Sequence, residues 1–345
     1  MIQEFNFKVR DKVFIIAELS ANHNGSREIA IETIKAAKRA GADAIKLQTY
    51  TADTLTLDCN GADFIIKSNS IWDGQKYYDL YKQACTPWEW HKVLFEAAKE
   101  EGLVCFSSPF DPTAVDLLEE LGNPIYKIAS FEITDIPLIR YVASKGKPII
   151  ISTGIAALED IELAVETCRN EGNDQITLLK CTSSYPAPME EANLVMIKDL
   201  VERFNVVSGL SDHTLGITAP VVAVTQGAKV IEKHFILDKT IGGPDASFSL
   251  DEEEFTQMVK AVREAELALG KVDYTLTEKQ KQGRNFSRSL YIANDVKKGD
   301  LVTMENLRSV RPGYGMHPKN LPSLLGKKFK MDCKKGTRAS DILFE

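Results

Sequence analysis

The sequence predicts a closed (β/α)8 barrel followed by a small β-rich domain. Two observations carry this prediction. Short apolar runs alternate with amphipathic stretches over roughly the first 270 of the 345 residues, as in a chain of strand–helix units. Most of these runs are nearly continuous in apolar residues, which is typical of parallel strands covered on both faces. A polar segment then leads into about 60 residues of different character.

Eight candidate strands can be read along the chain. They are Val13–Leu19, Ala44–Gln48, Val104–Ser107, Ile125–Ala129, Pro148–Ser152, Ile176–Cys181, Val206–Leu210 and Lys229–Phe235. Eight strands separated by helices favour a closed barrel. The alternative is an open, doubly wound sheet, which carries a glycine-rich fingerprint after its first strand, and this chain has none there.

Helix-capping patterns fall between the strands. The residues from Thr86 to Glu89 have the form of a capping box, with Pro87 at the first helical position, and predict a helix to about Glu101. The other signals are an apolar face of Ala30, Ile34 and Ala37 closed by Gly41, and two helix starts at Asp111-Pro112 and Asp135-Ile136-Pro137.

The remaining segments define the domain organisation. The barrel domain is predicted over 1–272, a polar linker over 273–285 and the C-terminal domain over 286–345. An insertion, 51–85, follows the second strand and is predicted to form either part of a lid or a packed surface loop. In the C-terminal domain, Asp295 to Gly299 resembles Asp332 to Gly336, which predicts two repeated turns.

Composition narrows the function. A net charge of −7 argues against a nucleic acid partner but leaves room for an anionic substrate, because a few lysines set the local field. No apolar run is long enough to span a membrane, and the first residues do not resemble a signal peptide. The six cysteines are scattered without a CxxC motif, so we expect reduced thiols in a cytoplasmic protein.

Two histidines close apolar runs, in Ser211-Asp212-His213 and Glu232-Lys233-His234. In a barrel, the carboxyl ends of the strands meet on one face, so both imidazoles could hold one divalent metal ion and leave positions open for substrate. The alternative is that both are buried and only hydrogen-bonded. Two histidines at matching strand ends favour the metal site.

Polar side chains also stand at the other strand ends. They are Glu18, Lys46, Ser107-Ser108, Lys127 with Ser130 and Glu132, Ser152-Thr153 and the run from Thr182 to Tyr185. Singly, such a serine is usually a helix cap and such a lysine is usually solvated. Together, two lysines and a ring of hydroxyls form a site for phosphate or carboxylate. The pattern predicts a phosphate-binding, metal-assisted enzyme.

The motifs of this chain resemble those of the sialic acid synthase family, over nearly the whole chain. They are the segments from Ala17 to Gly25, Ala44 to Thr49, Phe106 to Asp111, Tyr126 to Glu132, Ile151 to Gly154, Ser211 to Thr214 and Glu232 to His234. The tail, with Arg311-Pro312-Gly313 and Gly315, resembles the antifreeze-like (SAF) domain of that family. Within the family, the segments around Trp72, Tyr78 and Thr86 are most similar to the pseudaminate branch. Ser108 and Ser183 replace the Thr and Asn typical of the neuraminate branch.

The resemblance implies a condensation of phosphoenolpyruvate with an acetamido sugar, 2,4-diacetamido-2,4,6-trideoxy-L-altrose, with loss of phosphate by C–O cleavage. It implies that phosphoenolpyruvate is bound by Lys46, Ser108, Lys127, Ser130, Ser152 and Ser183, and that the sugar is contacted by Glu132, Tyr185, Asp245, Arg311 and Trp72. Catalysis is assigned to Glu18 and Glu232 together with His213 and His234. The two histidines are also expected to bind Mn²⁺, Mg²⁺ or Co²⁺. It also implies a homodimer in which each subunit's C-terminal domain, with Arg311, covers the partner's barrel.

Alternatives remain at the sequence level. A legionaminate or neuraminate synthase, or a sugar-phosphate aldolase, would use a similar barrel, and a glycan-binding protein would need no chemistry. Of the other three histidines, His23 is expected to organise a loop, with direct catalysis as the alternative, and His91 to be structural. His317, beside Pro318 in the C-terminal domain, could line the sugar pocket.

Overall fold

The computed structural model describes residues 5, 7–67 and 72–345, which form two compact units divided between Gly270 and Lys271. The first unit contains β1 (Phe14–Glu18), β2 (Ala44–Thr49), β3 (Val104–Pro109), β4 (Tyr126–Ile128), β5 (Ile149–Ser152), β6 (Ile176–Cys181), β7 (Val207–Asp212) and β8 (Val230–His234). All are parallel and pair in sequence order, and β8 closes on β1 with Glu18 opposite His234. The predicted barrel is confirmed. The observed strands match the predicted runs to within two residues at either end.

Ten helices of the first unit are described, and those outside the insertion 51–85 alternate with the strands. They are α1 (Arg27–Arg39), α2 (Ala52–Leu55), α3 (Tyr77–Ala84), α4 (Trp88–Glu100), α5 (Pro112–Glu120), α6 (Ile136–Ala143), α7 (Leu158–Asn170), α8 (Met196–Phe204), α9 (Thr218–Thr225) and α10 (Glu252–Leu269). Asp111 and Asp135 cap α5 and α6 as predicted. The capping box at Thr86 is wrong. Pro87 is the N-cap residue of α4 and makes no side-chain cap, because the Thr86 hydroxyl instead lies 3.2 Å from Nε2 of His23.

The barrel interior changes character along its axis. A cluster at the amino end contains Phe14, Ile16, Phe106, Ile150 and Leu179 and is closed by Phe7. Side chains two residues apart on a strand share a face, so the same strands present polar groups next. Glu18 follows Ile16, and Ser152 follows Ile150. The apolar cluster therefore supports a buried polar layer at the carboxyl ends of the strands.

The insertion 51–85 contains α2 and α3, and residues 68–71 within it lie outside the described part. Tyr78 donates to Asp53 at 3.1 Å and Tyr77 stacks on Tyr81, so much of the insertion packs on itself. Trp72 is different, because its ring lies 5.9 Å from that of Tyr185 in the loop after β6. The insertion thus combines a packed surface element with one side chain that reaches the strand-end loops.

The second unit is a small β structure in which β9 (Ser289–Ile292) and β10 (Leu307–Val310) are antiparallel. The two repeated turns are confirmed, and they pair with each other. Asp295 binds Lys334 at 2.7 Å and Asp332 binds Lys297 at 2.8 Å, around a bridge between Val296 and Cys333. Two short helices, α11 (Glu278–Gly283) and α12 (Leu321–Leu324), belong to this unit. Since α11 lies within 273–285, part of the predicted linker is helical. The predicted domain bounds stay predictions.

Over the described residues, the helices are all too short or too polar to cross a bilayer.

Candidate active site

Two lysines and two glutamates form a buried charged layer above the apolar cluster. Lys46 on β2 pairs with Glu18 on β1 and lies 3.8 Å from Glu232 on β8. Lys127 on β4 donates to Glu232 at 3.1 Å. Each of the four is at most 5% exposed. Buried charges are stable only when they are paired, so removing any one would leave its partner unbalanced.

The two carboxyl groups of this layer differ in acidity. Burial raises the pKa of Glu18 to about 7, against the opposing pull of Lys46. Burial also acts to raise the pKa of Glu232, but Lys127 and Lys46 together outweigh it and lower that pKa below its ordinary value. Near neutral pH, Glu232 is therefore ionised while Glu18 is poised to hold or release a proton. Two carboxyl groups whose pKa values are separated in this way can serve as the general acid and the general base of one reaction.

A pocket lined by hydroxyls lies around Gly154, in the turn after β5. The Gly154 amide donates to Oγ of Ser130 at 3.1 Å. A Cβ at position 154 would lie 2.1 Å from Oγ of Ser183 and 2.7 Å from Oγ of Ser130, so glycine allows both hydroxyls to approach the backbone this closely. Ser152 Oγ is buried and has no hydrogen-bond partner among the described residues. Donors held this way around a backbone amide are suited to an anion.

The two neighbouring serines of β3 have different surroundings. Ser108 accepts from Nζ of Lys46 at 3.4 Å and faces the charged layer. The Ser107 hydroxyl lies 2.7 Å from that of Thr49, which in turn contacts Nε2 of His91 at 2.8 Å. Because successive side chains of a strand alternate between its faces, only Ser108 can reach the site. Ser107 and His91 support the fold from behind.

The two histidines meet at the mouth of the barrel, with ring centroids 5.2 Å apart. Nδ1 of His213 lies 3.1 Å from the carbonyl oxygen of Thr182, which can only accept, so this nitrogen carries a proton and Nε2 is the nitrogen available to a metal ion. Nδ1 of His234 is buried, 3.8 Å from a carboxylate oxygen of Asp245, and has no hydrogen-bond partner in the part of the chain that the structure describes. Burial and the nearby positive charges lower the pKa of His234 well below its ordinary value. Neutral imidazoles with free lone pairs are metal ligands.

These observations fit a divalent ion bound by two protein ligands. The described residues contain no group of three or more histidine, cysteine or carboxylate side chains arranged to hold a metal ion. The orphaned nitrogen of His234 is a buried polar group that a bound ion would satisfy. The histidine pair is thus compatible with a weakly held ion that has open coordination positions, and not with a closed structural site.

Aromatic rings continue from the histidines toward the insertion. Tyr185 lies 4.5 Å from the His213 ring and 5.9 Å from the Trp72 ring, and Phe248 lies 4.9 Å from the His234 ring. Glu132 stands at the edge of the site, and burial raises its pKa to about 7. A wall of rings beside polar groups suits a sugar with apolar substituents.

The structure brings together all of the predicted site residues that belong to the first unit. Asp245 is buried after β8, where it accepts from the Ala21 amide at 3.4 Å. Arg311 belongs to the second unit, directly after β10, and is exposed. His23 and His317 have local roles, since His23 accepts from the Gly25 amide and His317 from that of Lys319, both at 3.1 Å.

Four further residues of the site were missed. Gln48 donates to Glu18 and to Ser20, both at 3.0 Å, and its position two residues after Lys46 is a signal that could have found it. Ser211 donates to Glu232 at 3.1 Å from the directly opposed position on β7. The last two are Cys181, whose Sγ lies 3.7 Å from Nδ1 of His213, and Phe248, for which the sequence carries no signal.

Comparison with known proteins places these features in a family. Residues 33–274 match the NeuB family and residues 287–340 match the SAF domain. The chain is 54% identical over 331 residues to the pseudaminic acid synthase of Campylobacter jejuni subsp. jejuni serotype O:2, covering 96% of each chain. It is 46% identical over 327 residues to that of Helicobacter pylori, covering 94% of this chain and 96% of the other. A solved N-acetylneuraminic acid (sialic acid) synthetase from Leptospira borgpetersenii serovar Hardjo-bovis has a TM-score of 0.70 and 31% identity, covering 79% of this chain and 90% of that one.

Proposed function

This chain belongs to the NeuB family, and we propose that it is a pseudaminic acid synthase. The reaction condenses phosphoenolpyruvate with 2,4-diacetamido-2,4,6-trideoxy-L-altrose and releases phosphate. One observation carries the proposal: two buried lysines, two buried glutamates and a pair of histidines converge at the carboxyl end of the barrel. The relatives named pseudaminic acid synthase, at 54% and 46% identity, support this product over others of the family.

Phosphoenolpyruvate would occupy the cationic and hydroxyl-lined part of the site. Lys46 and Lys127 supply positive charge, and Ser108 lies beside Lys46. The pocket of Ser130, Ser152 and Ser183 around the Gly154 amide supplies hydroxyl groups for the phosphate or carboxylate. Neither lysine is free to act as a Schiff-base nucleophile while it is held as a charged partner of a buried glutamate, so both serve as anion holders.

The bond changes follow from the chemistry of the two substrates. C3 of phosphoenolpyruvate attacks the aldehyde carbon of the open-chain sugar, and the electrons of that carbonyl move to its oxygen, which takes up a proton. Water adds at C2 and loses a proton. The bond between C2 and the bridging oxygen then breaks, and its electrons leave with phosphate. The hydroxyl that water left at C2 gives up its proton, which neutralises the departing phosphate, and becomes the ketone oxygen of the product.

Glu18 and Glu232 are placed to manage the two protons. With its pKa near 7, Glu18 is protonated in part of the molecules at neutral pH and is the better donor to the new alkoxide. Glu232 stays ionised and is held by Lys127 and Ser211, so it orients the water and takes its proton. Gln48 fixes the orientation of the Glu18 carboxyl.

His213 and His234 would hold the divalent ion, whether Mn²⁺, Mg²⁺ or Co²⁺. When bound, such an ion supplies Lewis-acid polarisation of the aldehyde. The Thr182 carbonyl sets the tautomer of His213, and Asp245 lies beside His234. A carbonyl that accepts from the other ring nitrogen, as Thr182 does here, orients a metal ligand.

The aromatic wall is our candidate for sugar recognition. Trp72 and Tyr185 offer apolar surface for the 6-deoxy methyl and the acetamido methyl groups. Glu132 and Asp245 would bind the hydroxyl or amide groups of the sugar. Arg311 would approach from the C-terminal domain of the partner subunit in a swapped homodimer. Three apolar residues flank the boundary between the two units in the sequence, Leu267, Val272 and Tyr274, and all are over 80% exposed in the single chain. Exposed apolar side chains of this kind support a dimer in which the partner subunit covers them.

A cytoplasmic location is part of the proposal, and it is supported by the free thiols of all six cysteines. Legionaminate or neuraminate synthesis is the alternative, since those reactions need the same bond changes on a different sugar.

The decisive experiment is mass spectrometry of products from phosphoenolpyruvate and a panel of acetamido sugars. We expect the 6-deoxy diacetamido sugar to give a product with a kcat/KM well above that for N-acetylmannosamine. With ¹⁸O in the bridging position, the label should leave in phosphate. Label kept in the sugar acid, or a lysine adduct trapped by borohydride, would contradict the chemistry, and equal kcat/KM values would contradict the specificity.

A further inference from the structure

A second buried ion pair lies directly behind the two histidines. Lys233 is 0% exposed, and its Nζ donates to Oδ2 of Asp212 at 2.5 Å and to the carbonyl oxygen of Thr214 at 2.6 Å. Asp212 in turn accepts from the Thr214 amide through Oδ1 at 2.9 Å. Each polar atom of this Lys233–Asp212 clamp therefore has a partner within the clamp, which ties β8 to the first turn after β7.

The clamp cannot touch the substrates. Asp212 and Lys233 are paired in register on β7 and β8, and each comes one residue before a histidine. Successive side chains of a strand point to opposite faces, so the clamp lies on the helix-covered side while His213 and His234 point to the barrel mouth. Neither charge has a role in the reaction proposed above.

A structural need alone does not explain two charges at this place. Apolar residues of similar volume fill a buried site at no loss of stability in many proteins, because taking two charges out of water is costly. What an ion pair adds is direction, since its hydrogen bonds fix both backbone segments at a defined separation. The separation fixed here is the one between the two histidine-bearing segments.

We propose that the Lys233–Asp212 clamp is a positioning device that sets the spacing of His213 and His234 and thereby the affinity for a divalent ion. The inference rests on the proposed function, because it takes those histidines as the ion's ligands. Residues that orient metal ligands typically contribute 10- to 100-fold in affinity, although they never contact the metal.

The test measures Mn²⁺ binding to metal-stripped protein without substrates, by electron paramagnetic resonance of the free ion. Lys233→Met keeps the length of the side chain and removes its charge, and we expect the Kd to rise about 10- to 100-fold. The double variant Lys233→Met/Asp212→Leu replaces the pair by apolar side chains, which avoids leaving one buried charge unpaired. It should fold and still bind Mn²⁺ as weakly as the single variant. Lys147→Met breaks the Lys147–Glu119 pair, 2.6 Å long and outside the site, and should leave the Kd unchanged.

The outcomes separate the two hypotheses. Wild-type protein that does not bind Mn²⁺ contradicts the metal site of the proposed function. If the wild-type protein binds Mn²⁺ and the folded double variant binds it with the same Kd, the positioning role of the clamp is overturned. The proposed function then stays intact. A folded double variant, shown by an unchanged circular dichroism spectrum, with weakened binding supports the clamp, because loss of structure alone would not give that combination.

Discussion

Lys127 and Glu232 are 105 residues apart in the sequence and form a buried ion pair, with 3.1 Å between Nζ and Oε1. The pair joins β4 and β8 across the barrel interior. Its lysine is proposed to bind phosphoenolpyruvate and its glutamate to orient water. The anion site and the water site thus share one ion pair, and a change at either residue should affect both.

The first prediction concerns that coupling. Lys127→Met should lower kcat/KM for phosphoenolpyruvate by about 10- to 100-fold, since a charge-assisted hydrogen bond contributes about 1.5–3 kcal/mol. It should also raise the pKa of Glu232, because Lys127 is the main charge that lowers it. A required carboxylate with a raised pKa loses its charge at higher pH, so the acid limb of the pH–rate profile should move upward. Lys35→Met, which breaks an exposed pair on α1, is the matched control. An unshifted profile in Lys127→Met would separate Glu232 from the rate-determining chemistry.

The second prediction concerns Gly154. Its Cβ would collide with the hydroxyls of Ser183 and Ser130, which are ends of side chains that can rotate away. Gly154→Ala should therefore fold but displace the hydroxyl-lined pocket. A displacement of about 1 Å in a positioned group can cost up to about 100-fold in rate. We expect a raised KM for phosphoenolpyruvate with the Tm little changed. Gly283→Ala is the control, because a Cβ there meets no atom within 4 Å, and it should keep the wild-type KM and Tm. A wild-type KM in Gly154→Ala would contradict the binding of phosphoenolpyruvate by these hydroxyls.

The third prediction concerns pH and stability. Burial raises the pKa of Glu132 from its ordinary 4.5 to about 7. Between these values the unfolded chain releases the proton and the folded protein keeps it. The contribution of this group to the free energy of unfolding therefore falls as the pH rises through that window and levels off above it. Glu132→Gln cannot ionise, so its Tm should gain on wild type from pH 5 to pH 7 and hold that gain at pH 8. A Tm difference that is the same at pH 5, 7 and 8 would contradict the burial of a titrating carboxyl. Glu159→Gln, at an exposed position of α7, is the control substitution.

The barrel could be predicted from the sequence because its parallel strands are continuous apolar runs, and β6, Ile176–Cys181, has the predicted bounds. Because the carboxyl ends of barrel strands meet on one face, the sequence also predicts that Lys46 and Lys127 lie on the same face. Their ion pairs could not be predicted, because which glutamate meets which lysine depends on distances across the barrel. In the sequence Cys181 is one of six scattered thiols, and only the structure shows that it ends β6 next to the site. The Thr86 cap failed for the same reason, since a distant side chain, His23, competes for the hydroxyl.

The fourth prediction concerns metal removal. An ion held by His213 and His234 alone exchanges readily, and the fold does not depend on it. A chelator should abolish turnover without changing the circular dichroism spectrum, and added Mn²⁺ or Co²⁺ should restore activity. A stripped sample, shown by elemental analysis to be free of metal, should have no residual turnover. Full activity in that sample would exclude a catalytic ion.

The last prediction concerns assembly. If each active site combines His234 of one chain with Arg311 of the other, then His234→Ala and Arg311→Ala each remove one of the two contributions to a site. A heterodimer of these inactive variants has one doubly damaged site and one intact site. Random reassociation makes about half of the dimers mixed, so activity should return to about a quarter of wild type. The measurement is phosphate release after reversible dissociation of the mixed variants, with each variant alone as control. If each chain completed its own site, every site would keep one lesion. No recovery in a sample with heterodimers shown by native mass spectrometry would therefore reject the swap.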